Sequence, residues 1–237
     1  MNQYDNPDFF SAYAGMSRSR FGLEGAGEWH QLEPMFPELK GKSVLDLGCG
    51  YGWHCKYAAD RGAAQVVGID QSQRMIAEAR RRNSASRIEY RICGIQDFDY
   101  PAETFDLVVS NLVLHYIEDL QEVYRLVHRT LKPGGIFLFN IEHPTFTAGV
   151  RQQFSPDGTW PVDDYYYPGL RTTDFLGHQV TKYHHTLTQI VNGLLQTGFV
   201  IEALEEAVPP AQWRDQMPSE MRRPMMLLVK AGKAVCP

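Results

Sequence analysis

Apolar residues along the chain fall into two alternating spacings. Short, nearly continuous apolar runs stand at 43–47, 65–70, 87–92, 105–110 and 136–141. Runs of this length, bounded by turn residues, read as strands buried on both faces of a parallel sheet. Between them the apolar positions recur at helical intervals. The segment from about Tyr51 to Arg61 is a predicted helix, with Gly62 as its C-terminal cap. A second begins at Ser72, an N-cap residue, and ends near Asn83. A third covers about 119–130, with Leu120, Val123, Tyr124 and Val127 on one face. The turn Lys132-Pro133-Gly134-Gly135 ends that helix and launches the next strand.

Towards the C-terminus, Leu187, Ile190, Val191, Leu194 and Leu195 predict a helix over 186–197 that Gly198 stops. Phe199–Leu204 and Met225–Lys230 then read as a terminal hairpin, with a loop from Pro209 to Pro224 between them. Two segments break the alternation. Residues 8–36 look helical and aromatic. Residues 143–183 carry four prolines, several glycines and the run Tyr165-Tyr166-Tyr167, and are too long for a simple connection. The pattern therefore predicts an α/β fold. It has a doubly wound, mostly parallel, seven-stranded Rossmann-like sheet with helices on both faces, an N-terminal helical cap and an inserted lid. One domain is expected over 1–237: cap 1–40, core 41–142, lid or substrate segment 143–185, terminal helix and hairpin 186–237. Ligands are expected at the C-terminal ends of the strands.

The candidate chemistry lies at the first strand-to-helix junction. Val44–Leu47 delivers the chain to Gly48-Cys49-Gly50-Tyr51-Gly52, with glycine at every second position. Such a turn lets backbone approach a ligand closely. The strand that follows ends in Asp70, where a carboxylate suits both hydroxyls of a ribose. A dinucleotide site would read G-x-G-x-x-G, but the sixth position here is the bulky Trp53. Asp46, just before the turn, is expected to aim a carboxylate into the pocket. There it would repel a pyrophosphate and suit a ligand carrying an ammonium and a sulfonium.

With these motifs the chain resembles the class I S-adenosylmethionine-dependent methyltransferases, small-molecule type. The residues that carry the resemblance are Val44–Gly52, Gly68-Ile69-Asp70-Gln71-Ser72, Thr104–Ser110 and Leu126–Gly135, within about 40–142. The resemblance implies S-adenosyl-L-methionine as cofactor and S-adenosyl-L-homocysteine as product. It implies that Gly48, Cys49 and Gly50 line the methionine end through backbone atoms, with Asp46 close behind. Asp70 would meet the ribose, Gln71 the adenine edge, Met75 the adenine face, and the backbone of Asn111 the methionine group. Family members usually carry an Asp after strand 3; this chain has Gly94. Adenine recognition then falls to the Ile95 N–H and to Gln96 or Asp97. Tyr13 and Arg18 come from a region that in this fold can close over the cofactor, and Arg18 can pair with the methionine carboxylate.

A general base is needed only if the acceptor starts protonated. His115, His143 and one of the pair His184-His185, with His185 the choice, stand after strands or before a helix where such a base would sit. Tyr165, Tyr166, Tyr167, Phe146, Phe154 and Trp160 point to an aromatic-lined acceptor site. The Asn/Asp-Pro-Pro-Tyr signature of amino-group methyltransferases is absent after strand 4, where Ser110-Asn111-Leu112-Val113 stands.

Composition narrows the partners. A net charge of −5 argues against a phosphate-tracking surface, so no nucleic acid is expected. The basic cluster Arg80-Arg81-Arg82 sits where cations complement a helix C-terminus. No apolar run approaches transmembrane length, so no membrane partner is expected. Cys49, Cys55, Cys93 and Cys236 show no C-x-x-C spacing, and no signal peptide is visible in the sequence. Reduced thiols and a cytoplasmic location are expected. No metal spacing is present among the eight histidines. The expected activity is methyl transfer to oxygen, nitrogen or carbon of a small molecule, by a monomer or homodimer. Two other readings stand beside it: a non-catalytic sensor or assembly subunit that binds the same cofactor, and a dinucleotide-dependent oxidoreductase, against which Trp53 argues.

Overall fold

The protein is described by a computed structural model covering residues 2–235; Cys236 lies outside the described residues. The central strands are β1 (Ser43–Leu47), β2 (Gln65–Asp70), β3 (Ile88–Ile92), β4 (Phe105–Asn111) and β5 (Leu131–Glu142). All five are parallel, in the order β3-β2-β1-β4-β5. Their helices are α4 (Trp53–Asp60), α5 (Gln73–Arg82) and α6 (Leu120–Thr130), preceded in the N-terminal segment by α1 (Pro7–Ala14), α2 (Ser17–Phe21) and α3 (Trp29–Leu32). After β5 come α7 (Pro144–Thr147), the hairpin β6 (Gly169–Phe175) and β7 (His178–His184), then α8 (Leu187–Thr197), β8 (Phe199–Glu206) and β9 (Met226–Lys233). β9 joins β5 antiparallel and β8 joins β9, which completes seven strands.

The strand pattern explains the layers. Successive side chains of a strand face opposite ways. Leu45, Leu47, Val67, Ile69, Phe137 and Phe139 point towards α6 and α8, where Val123, Tyr124, Val127, Ile190 and Leu194 meet them. Val44, Val66, Leu107, Val109 and Leu138 point the other way, onto Cys55 and Ala58 of α4, Ile76 and Ala79 of α5, and Trp29 and Leu32 of α3. Each fully buried aliphatic side chain contributes roughly 1.5–3 kcal/mol relative to exposure. Strand order reverses between β1 and β4, which opens a crevice at their C-terminal ends.

Several elements differ from the sequence pattern. The N-terminal segment is three short helices joined by 3₁₀ turns, because Gly15, Gly22, Gly25 and Pro34 interrupt it. β5 starts at Leu131 rather than 136: Phe105 pairs with Leu131 and Leu107 with Ile136, so Lys132–Gly135 bulges out of the ladder. The Pro209–Pro224 loop carries two 3₁₀ turns, Ala211–Trp213 and Glu220–Arg222. The segment after β5 contains an antiparallel hairpin of two seven-residue strands, β6–β7, that no apolar alternation announced. Its inward face is polar: Arg171, Thr173, Lys182 and His184 are buried with Val180.

The arginine cluster is engaged within the fold. Arg81 and Arg82 pair with Glu78, Arg80 donates to the Tyr90 carbonyl and Arg82 to that of Ser19. No helix among the described residues is long and apolar enough to cross a membrane.

Candidate active site

The turn after β1 is built by backbone. Cys49 N–H donates to the Ile69 carbonyl at 2.8 Å, and Gly52 N–H to the Cys49 carbonyl at 2.8 Å. Gly48 has φ 70°, and a Cβ there would lie 2.4 Å from Val113 Cγ2, so only glycine fits. Gly50 has φ 52° and open space where its Cβ would stand, which leaves the backbone bare to an approaching ligand. Asp70, at the end of β2, accepts from Gly50 N–H at 3.0 Å through Oδ2 and from Ser72 N–H at 2.8 Å through Oδ1. Burial raises its pKa to about 6; the two backbone hydrogen bonds oppose that rise.

Above this edge lies a cavity of about 920 Å³, roofed by the N-terminal segment and the β6–β7 hairpin. Most of the sequence-predicted cofactor residues line it. Gly48, Cys49 and Gly50 lie at the turn, with Asp70, Gln71 and Met75 beside them. Ile95 and Gln96 come from the segment after β3, Asn111 from the end of β4, and Tyr13 and Arg18 from the N-terminal segment. The residues fit a nucleoside bearing a polar tail. Trp53 Nε1 and Asn2 Nδ2, both on cavity-lining residues, are buried without a hydrogen-bond partner.

Four predicted residues stand elsewhere. Asp46 does not line the cavity. It lies under the turn on the α4 face, where the Cys55 thiol donates to its Oδ2 at 3.2 Å. Burial pushes its carboxyl up to about 7, so it does not present a full charge to a ligand. Gly94 also lies off the wall: a Cβ there would meet Asp97 Oδ2 at 2.6 Å, so the Asp97 carboxyl occupies the space of the missing side chain. His143 is a cap. Its Nδ1 accepts from Thr145 N–H at 3.1 Å at the start of α7, and its Nε2 meets Glu206 Oε1 at 3.1 Å. His185 is buried with Nε2 on the Ile117 carbonyl at 2.8 Å. Neither reaches the cavity.

The role expected of Arg18 is also corrected. Its guanidinium forms a two-pronged pair with the buried Glu28, 2.9 Å on each arm, so it is not a free cation awaiting a carboxylate. Glu28 Oε1 further accepts from Asn140 Nδ2 at 3.3 Å, and Asn140 donates to Asn111 Oδ1 at 2.8 Å. The network ties the N-terminal segment to the ends of β4 and β5.

Nor do the lid aromatics line the acceptor space. Phe146 and Trp160 stack 5.2 Å apart, and the Arg223 guanidinium sits 4.0 Å from the Trp160 ring centroid. Tyr166 and Tyr167 are exposed. The aromatic liners are instead Tyr4, Tyr13, Tyr51, Trp53, Tyr116, Phe175, Tyr183 and Trp213. The Tyr4 and Tyr116 hydroxyls lie 3.0 Å apart.

Of the three histidines only His115 reaches the cavity. Burial lowers its pKa to about 4, with Glu142 opposing and Lys182 reinforcing. Glu142 N–H faces Nδ1 at 3.5 Å, and Nε2 lies 3.8 Å from Glu142 Oε1. Lys182 Nζ donates to the same Oε1 at 2.5 Å. Burial alone would raise the Glu142 carboxyl; His115 and Lys182 bring it below the ordinary carboxylate value. Sequence reasoning missed Glu142, Lys182, Glu28 and Tyr4. Glu142 adjoins the selected His143 and was within reach, whereas nothing local marks Lys182. No group of residues suited to hold a metal occurs among the described residues.

The comparisons agree with this geometry. A methyltransferase domain model matches residues 45–139. A crystal structure from Listeria monocytogenes, assigned as an S-adenosylmethionine-dependent methyltransferase, is 44% identical; it covers 90% of this chain and 99% of its own, with a TM-score of 0.85. An S-adenosylmethionine-dependent methyltransferase from Mesorhizobium loti is 41% identical over 89% of this chain and 100% of its own, with a TM-score of 0.83. An uncharacterised protein of Haemophilus influenzae is 30% identical over 97% of this chain and 96% of its own. With a Rossmann-like sheet, a glycine turn facing Asp70 and relatives that span nearly its whole length, the chain belongs to the class I S-adenosylmethionine-dependent methyltransferases.

Proposed function

We propose that the protein transfers the methyl group of S-adenosylmethionine to an oxygen, nitrogen or carbon atom of a small-molecule acceptor. The observation that carries this reading is a single cavity with two chemically different ends. One end is the glycine turn with Asp70, Gln71 and Met75; the other holds His115, Glu142 and Lys182. A small molecule suits a space of about 920 Å³ that also holds the cofactor.

Bound at the first end, S-adenosylmethionine supplies a methyl group already activated on a sulfonium. The chain's own work is alignment and exclusion of water. Gly48–Gly50 and Asn111 hold the methionine end and Asp70 the ribose. The N-terminal segment, tied to β5 through the hydrogen bond from Asn140 Nδ2 to Glu28, covers them. His115 takes the proton that a hydroxyl or amine acceptor must lose. Its imidazole is neutral above pH 4, and the Glu142 carboxylate stabilises the imidazolium once formed. An acceptor that is already an anion or a neutral lone pair would need no such base.

Calorimetric titration with S-adenosylhomocysteine and NAD, followed by label transfer from methyl-tritiated cofactor, tests the reading. Binding of the homocysteine product together with transfer to a metabolite is expected. Tight product binding with no turnover into any metabolite pool would favour a sensor or assembly role, and binding of NAD alone would overturn the proposal.

A further inference from the structure

Three ionisable side chains from three separate elements meet at one end of the cavity. His115 stands on the turn Leu114–Tyr116 after β4, Glu142 at the end of β5, and Lys182 on the inner face of β7. His115 and Lys182 are buried and Glu142 is nearly so. β7 packs directly on the turn that carries His115. Lys182 Nζ donates to Glu142 Oε1 at 2.5 Å, whereas His115 Nε2 lies 3.8 Å from the same oxygen. The lysine thus holds the near position on an oxygen that the imidazole also faces. The Phe175 ring, 5.3 Å from Nζ, steadies the ammonium from within the hairpin. Two further titratable groups face His115: Tyr116 on its own turn, with ring centroids 4.5 Å apart, and His185 before α8.

From this arrangement we infer that Lys182 is a positioning residue for methyl transfer: by occupying Glu142, it keeps a proton off the His115 imidazole and leaves that ring free to act as base. The inference rests on the methyltransferase reading above and adds a residue to it. A buried carboxylate without a compensating partner is strongly unfavourable, so Glu142 needs a cation beside it. With Lys182 in place it has one, and a proton on His115 would put a second positive charge beside the ammonium. Without Lys182 the nearest cation available is the imidazolium itself. A His115–Glu142 ion pair would then form, and the base would enter the reaction already protonated. The balance of forces on the ring agrees. Burial lowers the His115 pKa to about 4; Glu142 opposes, and Lys182 and His185 reinforce. Because Lys182 belongs to β7, docking of the β6–β7 hairpin sets the protonation state of a base carried by another element.

The test is an NMR titration of the His115 ring in the full chain, labelled at histidine and saturated with S-adenosylhomocysteine, the signal being assigned by its loss in H115Q. In the parent the ring is expected to stay neutral down to pH 5.5. In K182M, and in K182Q, which keeps a hydrogen-bond donor for Glu142, its midpoint is expected to reach the ordinary histidine value of about 6.5 or higher. In E142Q/K182M, which leaves no lone buried charge, the ring is expected to titrate as in the parent. A ring already protonated at pH 6 in the parent, or a midpoint that K182M and K182Q share with the parent, would overturn the inference. Label transfer from methyl-tritiated cofactor into a small-molecule extract of the producing cells supplies the reaction readout. Between pH 8.5 and pH 5.5, K182M is expected to lose about tenfold in transfer and the parent less than twofold, with cofactor saturating; equal losses would overturn the role. No transfer by the parent at either pH, with the product bound, would remove the methyltransferase reading and the role with it. Titrations that fail while the parent still transfers would remove the role alone.

Discussion

At the scale of single residues, the site depends on carboxyl groups that burial has moved. Asp70 has a pKa of about 6 in the free protein, and its charged form is the better acceptor for two ribose hydroxyls. Affinity for S-adenosylhomocysteine should therefore weaken as pH falls from 8 through 6, whereas Asp70→Asn should give a flat and weaker profile by calorimetry. Asp70→Ala should lose at least tenfold, about 1.4 kcal/mol or more; unchanged affinity would refute the ribose assignment. Asp46 works on stability instead. Its folded pKa, about 7, lies above the unfolded value near 3.9, so the native state favours its neutral form. Stability linked to it is full below about pH 4 and is lost as pH rises to about 7, with an upper bound of about 4 kcal/mol. Asp46→Asn should flatten that dependence in denaturant titrations at pH 4 and pH 8. The same residue shows how far the sequence could be read. Its position before the glycine turn was plain, but strand alternation turned it onto the α4 face, under Cys55 and away from the ligand. The histidines divide likewise. His115→Ala should lower kcat at least tenfold with product affinity kept, while His143→Ala and His185→Ala should lower the melting temperature and leave kcat within twofold.

At the scale of elements, legibility follows the polarity of the buried face. β1, β2, β4 and β5 bury apolar residues on both sides, so their runs stood out and their bounds were read nearly correctly at 43–47 and 65–70. The helix caps were equally visible: Ser72 accepts from Met75 N–H, and Gly198 closes α8 in the left-handed conformation. β6 and β7 were hidden because their inward positions hold Arg171, Thr173, Lys182 and His184, whose buried polar atoms are satisfied by partners far along the chain. Arg171 Nε, for example, donates to the Ala148 carbonyl, and Lys182 Nζ to Glu142 Oε1. The lid is fastened in a similar way. Arg223 lies 4.0 to 5.3 Å from the ring centroids of Trp160, Phe146 and Phe154. Buried cation–π contacts of this kind contribute about 2 kcal/mol. Arg223→Ala should lower stability by roughly that amount and speed proteolytic cleavage within 148–168, measured against the parent under native conditions; cleavage at the parent's rate would show that the rings hold the lid without the cation.

On the scale of the whole molecule, the cavity joins segments from both ends of the chain. Tyr4 reaches Tyr116, Asp5 accepts from Ser72 Oγ at 2.7 Å, Arg18 pairs with Glu28, and Met225 and Met226 arrive from the C-terminal hairpin. A ligand that bridges so many segments should stabilise the entire fold. S-adenosylhomocysteine at a hundred times its Kd should add about 2.7 kcal/mol, a rise of roughly 5–10 °C in Tm for a chain of this size by scanning calorimetry, and NAD should add none. The sequence by itself determined the strand–turn–helix order, the carboxylate at the end of β2 and, through the resemblance its motifs carry, the cofactor, because hydrophobic period, glycine geometry and capping are local properties carried by neighbouring residues. Only the tertiary structure decided which polar residues line the cavity. It withdrew Asp46, His143 and His185, engaged Arg18 with Glu28, and brought Glu142 and Lys182 together across 40 positions of chain. Which way a buried charge points, and what neutralises it, depends on partners that folding brings from distant segments.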